Sequence, residues 1–120
     1  MAGEDEAVEG LNLKVMPTGA LGLIKAISVI MMNISASVHI QTQIINQGFV
    51  QLIMDSLKLH DYVVLTNLYK SIGNFLTSQN QEIRRKTIYL GGLQEMLEAH
   101  QMSGFFRIKR ICSEYLNHVA

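Results

Sequence analysis

Leu65, Leu68, Ile72, Phe75 and Leu76 recur in steps of three and four, which gathers them on one side of a helix. The same rhythm runs through Ile24, Ile27, Met31 and Ile34 near the start of the chain. It returns in Ile108, Ile111, Tyr115 and Val119 near its end. Sustained apolar–polar alternation is missing, as are paired hairpin turns of the Asn-Gly type, so strands have no signature here. Only Pro17 is present as a helix breaker, at the junction between an acidic lead and the first apolar segment. The pattern predicts an all-α fold.

Each apolar stripe is accompanied by an asparagine that lies off it. Asn33 and Asn74 are 41 residues apart, and Asn74 and Asn117 are 43 apart. At those offsets Ile27, Leu68 and Ile111 coincide, as do Met31, Ile72 and Tyr115. A second marker gives almost the same period: the stretch IINQGFVQLI at 44–53 aligns with IYLGGLQEML at 88–97, and Gly48 falls on Gly92, 44 residues on. Internal repetition at a period in the forties signals an architecture of stacked helical units.

Composition narrows the function classes. The chain has 120 residues, 48% of them hydrophobic, enough for one packed domain. Ten basic and ten acidic residues cancel, whereas binding to nucleic acid through phosphates favours a basic excess. The lone Cys112 cannot form an internal disulfide and fits a reducing compartment. The start, MAGEDEAVEG, carries Glu4, Asp5, Glu6 and Glu9 and does not have the form of a secretory signal. The longest oily stretch, 19–32, contains Lys25 and Ser28 and is too short to span a bilayer. An intracellular protein is expected, cytoplasmic, with the nucleus as the alternative.

The residues Gly48-Phe49-Val50-Gln51-Leu52-Ile53 and Gly91-Gly92-Leu93-Gln94-Glu95-Met96-Leu97 look like the glycine corner and leucine-rich short helix of the armadillo repeat. Gly73-Asn74-Phe75 resembles the end of that family's third helix, Met32-Asn33-Ile34 does so less closely, and Leu116-Asn117-His118 matches in part. HEAT repeats share the period, and the glycine corner and recurring asparagine favour armadillo. The resemblance covers about residues 20–120. It implies a right-handed superhelix of three-helix repeats, with a HEAT-like solenoid or a compact helical bundle as alternatives. An acidic segment, 1–18, precedes a partial repeat at 19–37 and full repeats at 38–78 and 79–120. Helices are expected near 20–35, 38–46, 48–58, 61–77, 80–90, 92–101 and 103–118, with Asn80 or Ser78 capping the fifth and Ser103 the last.

The resemblance further implies a non-catalytic protein-binding module, an adaptor or scaffold, whose third helices line a concave face. There an asparagine ladder grips an extended peptide, since a primary amide both donates to and accepts from any peptide unit. The residues carried onto that face are Asn33, Asn67, Lys70, Asn74, Arg110, Ser113 and Asn117. Nuclear-import adaptors of this fold place tryptophan four residues before the asparagine. Here Val29, Lys70 and Ser113 stand there and the chain has no tryptophan, so a neutral or acidic partner is expected over a basic one. Terminal repeats expose apolar surface unless capped, so Met31, Phe105 and Phe106 are candidates for docking another protein or a second copy.

Other constellations carry less. The basic runs Arg84–Lys86 and Arg107–Arg110 suit a solvated helix face. His39, His60, His100 and His118 lie far apart and offer no metal-ligand spacing, and neither a nucleophile motif nor a phosphate loop occurs. No cofactor and no enzymatic activity are expected; a compact helical domain with an enzymatic or ligand-binding pocket is the competing class.

Overall fold

The computed structural model describes residues 19–44 and 46–119, and the acidic segment 1–18 lies outside the described residues. Seven α-helices follow one another with no strand among the described residues: α1 (Ala20–Ser35), α2 (Val38–Ile44), α3 (Phe49–Ser56), α4 (Tyr62–Leu76), α5 (Gln81–Tyr89), α6 (Gly92–Met102) and α7 (Phe106–Leu116). A 3-10 turn, Leu57–Leu59, extends α3. The protein is therefore all-α, and the helix limits fall within three residues of those expected from the apolar spacing.

Helix α4 is the axis of the core. Its stripe of Leu65, Leu68, Ile72, Phe75 and Leu76 is buried, the last four fully, which is what five apolar residues on one helical face require of their surroundings. One flank of α4 packs on α1 and another on α7, while α3, α5 and α6 also touch it. Val50 and Ile53 from α3, Ile83 from α5, Met96 from α6 and Ile108 from α7 complete the core. Phe49 meets Phe75 edge-on, with ring centroids 6.1 Å apart at 88°.

Local chemistry sets the helix limits. The Asp61 carboxylate accepts from the Val64 N–H at 3.1 Å and starts α4. Asn80 accepts from the Glu82 N–H at 2.9 Å and starts α5 as expected. Ser103 does not cap α7 directly. Its hydroxyl accepts from the Phe105 N–H at 3.1 Å, and Phe105 takes the cap position. Both α3 and α6 are entered through a left-handed glycine, Gly48 at φ 75° and Gly91 at φ 95°. The structural equivalent of Gly48 is thus Gly91, one residue before the position aligned in the sequence. This correction brings the glycine spacing to 43 residues, the same as Asn74 to Asn117.

Candidate functional site

The face of α4 that carries the asparagines is turned toward α1, and its polar groups find partners there. Asn67 Nδ2 donates to Ser28 Oγ at 3.0 Å, and Asn74 Nδ2 donates to Ser35 Oγ at 3.1 Å. Each pair is separated by 39 residues, so the two rungs lie seven residues apart on both helices, and α1 and α4 run side by side in fixed register. Each serine passes its own proton to its helix backbone, Ser28 to the Lys25 carbonyl at 2.6 Å and Ser35 to the Met32 carbonyl at 2.7 Å.

Asn74 is also tied to α7. The Tyr115 hydroxyl donates to Asn74 Oδ1 at 3.0 Å, so one amide bridges both neighbours of the central helix. The Tyr115 ring reaches this position because residue 73 is glycine: a Cβ at Gly73 would fall inside the ring. From Ser35 the polar path continues outward. Its carbonyl accepts from Gln41 Nε2 at 2.6 Å, and Gln41 Oε1 accepts from the Ser78 hydroxyl, also at 2.6 Å. Ser78 then accepts from the Asn80 N–H at 3.1 Å, and its carbonyl accepts from the Arg84 guanidinium. Buried polar groups are costly unless paired, and no buried side-chain polar atom is left without a partner among the described residues.

The residues predicted for the binding face therefore divide. Asn67 is buried and Asn74 half-buried, both engaged within the fold. Asn33 and Asn117 are exposed, and Ser113 is half-buried. Lys70 and Arg110 are brought together, and with Phe106, Arg107, Ile111 and Glu114 they line an open cleft between α4 and α7 of about 520 Å³. Phe106 is 81% exposed. Arg110 Nε lies 3.3 Å from Glu114 Oε1, an exposed pair, and among the described residues Lys70 and Arg107 have no carboxylate of their own in the cleft. Met31, expected at an exposed end, is instead 7% exposed, because its position on α1 points at α4 rather than away from it. Phe105 is partly covered by Tyr62, their ring centroids 5.0 Å apart.

Sequence reasoning named the asparagines and missed their partners. Ser28 and Ser35 are spaced seven residues apart like Asn67 and Asn74, which was a usable signal once the helices were aligned. In the sequence Arg107 belongs to a basic run that reads as a solvated helix face and Phe106 reads as an end-docking residue, so neither is assigned to a cleft.

Burial pushes the Cys112 thiol up to about 12, which keeps it protonated and a poor nucleophile. Burial, with the Glu95, Cys112 and Glu98 charges adding to it, raises the Tyr69 phenol to about 12. Glu95 is itself raised, by burial first and by Glu98 second. No three His, Cys, Asp or Glu residues converge to hold a metal among the described residues. No single helix there is long and apolar enough to cross a membrane; α1 and α2 meet that measure only together, and they bend by 108° at their junction. No family model matches the chain, and neither a curated protein nor a solved structure does.

Proposed function

We propose that the chain is a non-catalytic protein-binding module built as a short armadillo-like solenoid, and that it holds an acidic peptide in the cleft between α4 and α7. In this reading α1, α4 and α7 are the third helices of one partial and two complete repeats. The observation that carries it is the cleft itself, where Lys70, Arg107 and Arg110 face one carboxylate, Glu114, beside the exposed Phe106 ring. Cations gathered on one wall attract carboxylates, and a neighbouring aromatic face receives an apolar side chain of the same ligand. The amides of Asn67 and Asn74, engaged with α1 and α7, serve to set the register of the three helices, so the cations, rather than an asparagine ladder, supply the contacts. As an adaptor or scaffold the protein would recognise charge and one apolar anchor instead of a long backbone stretch.

A fluorescein-labelled peptide alternating Glu with Leu and Phe tests this by anisotropy. Binding should weaken as salt rises, and Lys70→Glu with Arg107→Glu should weaken it at least about tenfold, the loss of more than about 1.4 kcal/mol. Binding unchanged by the double reversal, or equally tight for a Lys-rich peptide, would sink the reading.

A further inference from the structure

Helix α1 has a second apolar face that the described residues leave largely open. Leu23, Ile27, Ile30 and Ile34 are spaced four, three and four residues apart, a heptad seam centred about a quarter turn away from the Ser28–Met31–Ser35 face that packs on α4. Leu23 is 64% and Ile30 is 55% exposed, Ile27 is exposed as well, and Ile34 is half-buried. Ile27 also joins Leu52 of α3 on the wall of an almost wholly apolar groove of about 260 Å³. The seam thus continues onto a neighbouring helix.

We propose that this seam is the interface of a two-fold symmetric dimer in which α1 pairs antiparallel with α1 of a second copy. Three properties of the face select that occupant. First, the seam is free of charge: the one charged residue on α1 is Lys25, which lies off it, so two identical faces meet without like-charge repulsion. Second, the four–three–four spacing is its own reverse. An antiparallel pair places Leu23 against Ile34 and Ile27 against Ile30 in both directions, which is what a two-fold interface demands. Third, the opposite end of the molecule is unlike it. The α4–α7 cleft at that end carries Lys70, Arg107, Arg110 and Glu114, so stacking that face head-to-tail on the seam would set charges against apolar side chains, while two-fold pairing closes on itself.

Area sets the strength. A 16-residue helix is about 24 Å long, and two paired along that length with the Leu52 rim cover on the order of 1,000 Å² in total, the lower limit for a specific interface. The dimer is accordingly one that forms at micromolar concentration and separates on dilution. In the solenoid reading it also caps the open end of the partial repeat, where an unpartnered repeat would otherwise face water.

Light scattering coupled to size exclusion tests this on the full chain. At about 100 µM the mass should be twice the 13.5 kDa of the chain, falling toward that value on dilution. Leu23→Glu with Ile30→Glu changes two exposed side chains, so the helical circular dichroism should persist while the mass drops to monomer. Phe106→Glu, at the other end, should leave the dimer intact. A dimer that survives the double change overturns the proposal, and so does a wild-type monomer at the highest concentration. An Ile30→Cys thiol separates the remaining cases, because Cys112 is buried and slow to react. Concentration-dependent protection supports pairing between copies. Protection in a monomer puts another part of the same chain on the seam and overturns it.

Discussion

Asn74 shows how much one side chain can be asked to do when it sits between two helix interfaces. Its oxygen takes the Tyr115 proton and its nitrogen gives one to Ser35, so the amide couples α7 to α1 through α4. Removing it leaves the Tyr115 hydroxyl without an acceptor in a half-buried position, and an unmet buried donor costs more than the bond was worth. Asn74→Ala is therefore expected to lower stability by about 1–3 kcal/mol in urea titrations, while Asn33→Ala, on an exposed position, should stay within about 0.5 kcal/mol. Tyr115→Phe keeps the ring on Gly73 and removes only the hydroxyl. Its effect should overlap with that of Asn74→Ala, with a coupling of about 0.5–1.5 kcal/mol in a double-mutant cycle. Strict additivity would mean that the two groups do not act as a pair. Gly73→Ala is the harsher change, since the new methyl collides with a ring whose hydroxyl is tied to Asn74. A loss of at least about 2 kcal/mol is expected.

At the scale of elements, α4 and α7 are readable from the sequence because each carries a buried apolar stripe, and glycines or cap residues mark the limits of several other helices. The stripe of α4 is buried and was the clearest in the chain. Asn80 was expected to start α5 and does, so Asn80→Ala should lower the melting temperature through a loss of about 1 kcal/mol at that cap. Asp61, which starts α4 through Val64, escaped notice because it follows a 3-10 turn rather than a glycine or proline break. Glycine corners were legible as residue type but not to the residue. Two glycines stand in tandem at 91–92, and only the folded backbone decides that Gly91 takes positive φ while Gly92 is pressed against Thr87. The surroundings of the asparagine face were the least legible part. Periodicity states which residues share a side of one helix, and it is silent about what the next helix places opposite. Asn67 and Asn74 were rightly put on a common face, but whether that face meets water or two serines depends on the azimuth of α1, which its own double apolar pattern leaves open. Met31 and Ile30, adjacent in sequence, end up on opposite sides of that choice.

For the whole molecule, the junction of α4, α6 and α7 ties stability to pH on the alkaline side. Tyr69 and Cys112 both titrate near 12 in the folded protein, against ordinary values of 10.0 and 9.0. The cause in each case is first of all burial, which disfavours the anion, and for Tyr69 the Glu95 carboxylate adds to it. An acid whose folded pKa is raised holds its proton in the folded state after the unfolded chain has released it. Its contribution is then complete below pH 9 and is lost progressively as pH climbs toward 12, because in that window the unfolded state binds fewer protons. Together the two groups are expected to remove about 3 kcal/mol of stability between pH 8 and 10.5, seen as a falling melting temperature. Cys112→Ala deletes the larger of the two shifts. The variant should start lower at pH 7, since it opens a cavity beside Ile108 and Ile111, yet lose much less between pH 8 and 10.5. An equally steep alkaline fall in that variant would assign the effect to other groups. The same burial makes a kinetic prediction that needs no variant: at pH 8 a disulfide reagent should modify Cys112 slowly in the native protein and rapidly in denaturant, at a rate that follows the opening of the α4–α7 contact.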